Sequence, residues 1–224
     1  MCSNYEPIKH TQSNWVRNNL GCDLPESEWK EHVFKYYLAP FVFFEDGVTR
    51  CELGHFGLIP RWTDPEERSA FAQKTHNART ETVEIRKSYR SPWKQRRFGL
   101  VLADNFYEPL YDISGKRSKP TPIYRSDREP TAIASIYESF TDEATGEIIR
   151  SFSMLTVNAD KHPLMSHFHK PNEEKRSVVV IEDRDLHNWL NATHEEARVL
   201  LKLSPNGYLD ADLTEPNSNQ LSIF

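Results

Sequence analysis

Cysteine is scarce in this sequence, and a long apolar run is absent. The three cysteines, Cys2, Cys22 and Cys51, are odd in number and form no Cys-x-x-Cys pair, which argues against a disulfide framework or a structural zinc site. No apolar stretch approaches the roughly 20 residues that a membrane-spanning helix needs, and the N-terminus lacks the pattern of a signal peptide. We therefore expect a cytoplasmic protein without a membrane segment. The net charge of −5 excludes a uniformly basic surface but is compatible with a local basic groove.

Aromatic residues, by contrast, are abundant, with twelve Phe, nine Tyr and five Trp, so we expect a folded chain with a substantial core. Strands are predicted at residues 41–44, 98–104, 122–125, 131–137, 148–157 and 177–181. Helices are predicted at 25–37, 185–190 and 193–203, and residues 53–62 are expected to be mostly loop. The expected fold class is α+β, with a strand-rich, barrel-like core and peripheral helices. We expect a single domain over residues 2–210 and a polar tail of uncertain order over 211–224.

The second residue, Cys2, is a candidate nucleophile. Aminopeptidases remove an initiator Met that precedes a small residue, so we expect the mature chain to begin with Cys2 and to carry a free α-amine beside the thiol. The unperturbed pKa of such an amine is about 7.7–8.0, so a fraction of it is neutral at pH 7. The amine can condense with an aldehyde to an imine, and the thiol can then add to close a thiazolidine ring. The alternative is a small second residue without a chemical role.

A basic segment at residues 86–97 stands out in this acidic chain. Tyr89 and Trp93 lie between its cations. The cations are Arg86, Lys87, Arg90, Lys94, Arg96 and Arg97. This composition is typical of a groove for single-stranded nucleic acid, in which cations contact phosphates and rings stack on bases. A solvated helix face with long cationic side chains is the alternative, and the sequence leaves both interpretations open.

Two further regions offer groups for proton transfer. Glu108 follows a predicted strand and lies among bulky aromatic residues, where desolvation would raise its pKa toward neutrality. His162, His167 and His169 cluster before the predicted strand at 177–181. A metal site is not expected, because no cysteine or carboxylate stands at ligand spacing, and one histidine acting as acid or base is the better functional interpretation. A surface glutamate and a His-rich loop are the alternatives.

The order and spacing of several segments resemble the SOS response-associated peptidase (SRAP) family, whose members sense abasic sites in DNA. The similarity runs through about residues 2–190. It rests on Cys2 and on the following segments: Tyr37 to Pro40, Phe56 to Trp62, Asn77 to Thr82, Ala103 to Glu108, Leu155 to Ala159 and His167 to Pro171.

In that family the N-terminal cysteine joins covalently to the ring-opened aldehyde of an abasic site in single-stranded DNA and ends as a thiazolidine. The resemblance implies that Cys2 is the nucleophile, that Asn77 positions its amine or the open sugar, and that Glu108 and His167 transfer protons. Arg79 would hold the phosphate beside the lesion. The expected DNA-binding surface adds the following residues: Arg61, Trp62, Arg86, Arg90, Trp93, Arg96 and Arg97.

The resemblance thus implies an enzyme of the DNA damage (SOS) response that crosslinks to DNA by lyase-like imine chemistry. We expect it to need no cofactor, to be a monomer and to lie on the nucleoid when bound to DNA. Two other functions stay open: a Cys2-dependent peptidase, limited to self-processing or wider, that pairs the thiol with His167, and a non-covalent single-strand-binding module that uses residues 86–97.

The sequence departs from the family pattern at several positions. Ser3-Asn4 follow the cysteine where Gly-Arg is usual, Pro109 follows Glu108 where Trp is common, and His169-Lys170 stand before Pro171 in place of Arg-Met. These differences affect the expected DNA contacts more than the expected chemistry, because Cys2 and its implied partners are all present.

Overall fold

A computed structural model describes residues 2–214, in which eleven strands pair into one sheet. The strands are β1 (Asn4–Pro7), β2 (Val33–Phe34), β3 (Leu38–Glu45), β4 (Val48–Phe56), β5 (Asn77–Arg79), β6 (Phe98–Tyr111), β7 (Ser118–Arg125), β8 (Thr131–Thr141), β9 (Ile148–Asn158), β10 (Arg176–Val178) and β11 (Leu209–Ala211). The helices are α1 (Ser13–Leu20), α2 (Arg68–Ala72), α3 (Arg90–Lys94), α4 (Leu186–Asn191) and α5 (His194–Leu200). Within this part of the chain no helix has the length and apolar character that crossing a membrane requires.

Five of the strands close into a barrel. β3 pairs with β4 and β6, β6 pairs with β8, β8 pairs with β9, and β9 returns to β4. The β4–β9 contact is parallel and the others are antiparallel. A closed ring leaves no unpaired edge to aggregate. The expected single α+β domain with a strand-rich, barrel-like core and peripheral helices is confirmed.

Side chains that alternate along each strand fill two apolar clusters, one inside the barrel and one outside it. Phe41 and Phe43 of β3 belong to the inner cluster, and their ring centroids lie 5.0 Å apart. Val42 between them belongs to the outer cluster, which the helices cover. Trp189 of α4 is fully buried there and donates its indole N–H to the Gly99 carbonyl at 2.8 Å. This contact anchors the C-terminal helices to the barrel wall.

Five of the predicted strands are confirmed with longer bounds. The sixth, at 177–181, is shorter than predicted, because β10 ends at Val178 and Val180 forms only an isolated bridge to Ile133. The C-terminal helices are also confirmed, and Thr193 accepts the backbone N–H of Glu196 as the capping box predicts. The predicted tail at 211–224 lies mostly outside the described residues. Its first residue, Ala211, ends β11, which pairs with β7.

The predicted helix over residues 25–37 is wrong. Val33 pairs with Tyr5 of β1, so β2 joins the sheet instead. Tyr36 has φ of 73°, which interrupts any helix, and Trp29 donates its indole N–H to the Ile8 carbonyl at 3.1 Å. A short amphipathic segment is only marginally helical by itself, so strand pairing decides its conformation.

The loop predicted over residues 53–62 begins later than expected, because β4 continues to Phe56. Gly57 then turns the chain with φ of 119°. A Cβ at this position would lie 2.1 Å from the Ala72 carbonyl oxygen, so only glycine permits this close approach.

Candidate functional site

Cys2 is fully buried in the inner cluster, at the end of the barrel that carries Glu108. β1 runs antiparallel to β6 with Tyr5 opposite Phe106, so the chain that leads back to Cys2 lies along the Glu108 end of β6. The Cys2 Sγ donates to the Asn4 carbonyl at 3.4 Å. The pairing of β1 therefore fixes the position of the thiol.

Burial raises the pKa of the Cys2 thiol to about 12, and the charge of Glu108 acts in the same direction. The thiol is therefore neutral at pH 7. In a chain that begins at Cys2, an α-ammonium would lie on the neighbouring carbon and favour the thiolate. Reaction of this sulfur thus requires a group that accepts its proton.

Asn77 holds the backbone of Cys2. Its Nδ2 donates to the Cys2 carbonyl at 2.6 Å, and its own backbone carbonyl accepts the Tyr89 hydroxyl at 3.0 Å. β5 places Asn77 by parallel pairing with Met154 of β9. Its Oδ1 is buried and has no hydrogen-bond partner among the residues that the structure describes. This oxygen is an acceptor next to the N-terminus, available to an amine or a hydroxyl.

Glu108 occupies a core position on β6. Phe106, Glu108 and Leu110 are all buried and alternate with partly exposed neighbours, so they share the inward face of the strand. Only 1% of Glu108 is exposed. A carboxylate in an apolar environment is costly to bury, and the charge of this one acts on the Cys2 thiol, so Glu108 is a candidate for proton transfer.

His169 lies beside Glu108, with its Nδ1 3.6 Å from the Glu108 Oε2. Its backbone N–H donates to the Pro109 carbonyl at 2.9 Å, and its φ of 64° lies in the left-handed region, which is uncommon for residues other than glycine. The Nε2 lies 3.1 Å from the Arg176 carbonyl. A carbonyl only accepts, so Nε2 carries a proton and Nδ1 faces the carboxylate. Burial lowers the pKa of His169 against the opposing charge of Glu108.

The role predicted for His167 therefore needs correction, because the ring beside Glu108 is that of His169. His167 is exposed and lines an open cavity of about 320 Å³. The third histidine, His162, is structural, since its Nδ1 accepts the Met165 backbone N–H at 3.1 Å. Within residues 2–214 no three His, Cys, Asp or Glu side chains are grouped as a metal site would require.

Arg79 shares a face of β5 with Asn77, two residues away. Its side chain is half exposed and donates to the Glu174 carboxylate at 2.8 Å. Glu174 also contacts Arg176 at 2.8 Å, and the buried Arg176 binds Glu81 at 2.8 Å. Sequence reasoning missed Arg176, which had no signal beyond its place before a predicted strand. An anion at Arg79 would have to compete with Glu174.

The aromatic residues of the basic segment are buried. Tyr89 is 9% exposed and Trp93 is 4% exposed. The Trp93 ring packs against Phe98, with centroids 5.3 Å apart. Trp93 therefore offers no face for a base, which corrects the prediction that it binds DNA. Five cations of this segment are exposed: Arg86, Lys87, Arg90, Lys94 and Arg96.

Trp62 is an exposed aromatic residue that contacts one of these cations. Its side chain is 47% exposed, and the Lys87 ammonium lies 4.2 Å from the ring centroid. Arg61 is exposed and lies 3.6 Å from Glu138. Arg61 and Trp62 line an open cavity of about 620 Å³, so both predicted residues are available at the surface.

Arg97 differs from its neighbours because it forms an ion pair with Glu138, which is 2% exposed. We expect Arg97→Ala to lower the free energy of unfolding by roughly 3 kcal/mol, because the buried carboxylate loses its main partner. Arg90→Ala, at an exposed position of the same segment, is the matched control and should change stability by less than about 0.5 kcal/mol. Urea unfolding of both variants measures these changes in the free energy of unfolding. Equal effects would show that the Arg97–Glu138 pair contributes nothing specific.

The sequence was compared with protein families and with known proteins. The family model of the SOS response associated peptidase (SRAP) matches residues 4–215. A Bacillus subtilis (strain 168) protein named abasic site processing protein YoqW is 26% identical over 209 residues, which cover 91% of this chain and 86% of that protein. A Gallus gallus protein named abasic site processing protein HMCES is 24% identical over 166 residues. That match covers 66% of this chain but only 47% of the chicken protein.

Solved structures show the same fold. A crystal structure of a protein from Bordetella bronchiseptica superposes with a TM-score of 0.82 at 31% identity, covering 94% of this chain and 98% of that one. A protein from Bacteroides thetaiotaomicron superposes with a TM-score of 0.75 at 22% identity, covering 94% and 90%. Since the family model spans nearly the whole chain, the protein belongs to the SOS response associated peptidase family.

Proposed function

We propose that this protein captures abasic sites in single-stranded DNA covalently through Cys2. The observation that carries the proposal is a buried cluster around Cys2. Asn77 donates to the Cys2 carbonyl, His169 lies beside Glu108, and the charge of Glu108 raises the pKa of the Cys2 thiol. An amine and a thiol on adjacent carbons are a reagent for aldehydes. The ring-opened sugar of an abasic site is an aldehyde, and two relatives carry abasic site processing in their names.

In the first step the Cys2 amine attacks the aldehyde carbon C1′. A C–N bond forms, the carbonyl oxygen takes up a proton, and loss of water leaves an imine. The acceptor Oδ1 of Asn77 would orient the amine. His169 and Glu108 would carry the protons, because two such groups within reach of one carbon can act in turn as base and acid.

In the second step the thiol adds to the imine carbon. A C–S bond forms, the π electrons of the imine pass to nitrogen, and the thiol proton ends there, so the thiazolidine closes without another reactant. Because burial raises the pKa of the Cys2 thiol to about 12, Glu108 would relay that proton from sulfur to nitrogen.

Two observations weigh against the alternative functions. A cysteine peptidase needs a thiolate stabilised by an imidazolium, whereas the Cys2 thiol donates to a backbone carbonyl and its pKa is raised. A purely non-covalent single-strand module would use the rings of residues 86–97 for stacking, and both rings are buried.

A denaturing gel tests the proposed function. The protein is incubated with a single strand that carries one aldehyde-bearing abasic site, and then heated in detergent. We expect a DNA-linked protein band that is missing with an intact strand and with a tetrahydrofuran analogue, which has no aldehyde. A strand that binds the native protein but leaves no linked band would support the non-covalent module instead.

We also expect the active protein to begin at Cys2, because imine formation requires a free α-amine on that residue. Intact-mass measurement should show the loss of one methionine. A DNA-linked species whose protein part still carries Met1 would contradict the imine route and point to another nucleophile.

A further inference from the structure

A cluster of exposed apolar side chains lies close to the N-terminal site. Phe34, Tyr37 and Leu38 are 48%, 45% and 46% exposed, although large apolar side chains usually gain by burial. The Phe34 and Tyr37 rings lie 6.0 Å apart, and contiguous exposed apolar side chains mark binding surfaces. None of these three residues has a role in the proposed capture of abasic sites.

Phe34 is the outer ring of a stack that reaches into the protein. The Phe34 and His32 rings are stacked with centroids 5.0 Å apart, and His32 is stacked on Tyr107 at 4.9 Å. The His32 Nε2 lies 2.7 Å from the Asn4 Nδ2, two residues from Cys2. The Tyr107 hydroxyl donates to Glu6 at 2.5 Å. We call the Phe34, His32 and Tyr107 rings the aromatic stack.

The backbone that carries Phe34 is held in an unusual conformation. Tyr36 has φ of 73°, a left-handed value that is strained for a bulky residue. Its N–H donates to the Phe56 carbonyl at 2.6 Å, and its ring is stacked on His55 at 4.5 Å. Because the segment is fixed in this way, a ligand that stacks on Phe34 would pay little ordering entropy.

We propose that Phe34 stacks on a nucleobase that adjoins the abasic nucleotide. This inference rests on the proposed function, which places single-stranded DNA at Cys2. The aromatic stack lines an open cavity of about 690 Å³ together with Ser3, Asn4 and Lys35. The cavity therefore begins at the residue after Cys2, where a neighbouring nucleotide would lie.

The chemistry of the cavity fits a nucleotide better than an aliphatic or peptide ligand. The Phe34 ring is 48% exposed and has the Tyr37 ring in an edge contact at 6.0 Å, and a base can lie on its exposed part as one more layer of the aromatic stack. Lys35 lines the same cavity and can contact the phosphate of that nucleotide. Stacking accepts every base, because each has a π-face, so this contact would not restrict the sequence around the lesion.

Fluorescence of 2-aminopurine tests the contact. The probe is placed directly 5′ or 3′ of a tetrahydrofuran abasic analogue in a single strand, which binds without covalent chemistry. We expect wild-type protein to quench the probe at one of these two positions by stacking. Phe34→Leu should lose that quenching and bind about tenfold more weakly, within the range measured for a single base–ring contact.

Phe34→Trp is the matched control, because it keeps an aromatic face and should keep both quenching and affinity. Absence of wild-type quenching at both positions, or equal quenching by wild type and Phe34→Leu, overturns the inference. Self-association of the wild-type protein that Phe34→Leu abolishes, with quenching unchanged, would also overturn it and assign the patch to a second copy. The aldehyde-bearing strand is assayed separately, so failure to crosslink refutes the proposed function without deciding the stacking contact.

Discussion

Replacing Cys2 with alanine is expected to abolish the heat-stable DNA adduct, a loss of at least about 100-fold in linked product, comparable to removal of an essential catalytic group. The thiazolidine requires the sulfur, and no other side chain can supply a thiol next to the α-amine. The alanine chain still presents an α-amine once Met1 is removed, so the imine should still form. Borohydride converts an imine into a stable amine, and should therefore restore a linked band in this variant.

Cys22→Ala is the matched control for this experiment. Cys22 is also buried, at 9% exposure, but it packs in the outer cluster with the helices rather than beside Glu108. We expect wild-type amounts of adduct from it. A heat-stable band from Cys2→Ala without reductant would identify another nucleophile and reject the assignment of Cys2.

The fold could be predicted where one local pattern dominates. Of the strands that close the barrel, β3, β6 and β8 contain runs of apolar or β-branched residues, and Thr193 with Glu196 marks the start of α5. The barrel strand β4 has no such run, because Arg50 and Glu52 interrupt it, and it was not predicted. The helix prediction for residues 25–37 was wrong because Trp29, Val33 and Tyr37 have the spacing of a helix face. What decides their conformation is the pairing of Val33 with Tyr5, a contact between distant segments that periodicity does not record.

In the basic segment, too, the sequence predicted only part of what the structure has. Its composition correctly predicts exposed cations, but composition does not say which way a ring points. Tyr89 and Trp93 lie on the buried side of the segment, where the Tyr89 hydroxyl binds the Asn77 carbonyl. Arg97 is also withdrawn from the surface by Glu138, which lies 41 positions away.

At the candidate site, Asn77 and Glu108 could be selected from sequence because the family pattern names them, and the structure places both near Cys2. The choice between His167 and His169 could not be made in this way. The two stand in one short loop, and aligning Pro171 with the family motif selects His167. The left-handed backbone at His169 and its bond to the Pro109 carbonyl turn the other ring toward Glu108.

The sharpest test of the site compares Glu108→Gln and His169→Gln with His167→Gln. If Glu108 and His169 carry protons, each of the first two substitutions should slow adduct formation by about 10²–10⁴-fold. Binding to the tetrahydrofuran analogue should stay within about twofold, because neither group is assigned a phosphate contact. His167→Gln is the matched control, and its exposed position predicts a wild-type rate.

The pH dependence separates a chemical role of His169 from a structural one. Burial lowers the pKa of His169 below its ordinary value near 6.5, so at pH 7 the ring is neutral and Nδ1 can accept a proton. As the pH falls through that lowered pKa, the ring becomes protonated and the adduct rate should fall. His169→Gln should remove the part of this fall that follows the pKa of His169 and leave only the fall caused by protonation of the Cys2 α-amine, whereas His167→Gln should keep both. Wild-type rates in folded Glu108→Gln and His169→Gln would exclude both residues from the chemistry, and a slow His167→Gln would return the role to the residue that the sequence selected.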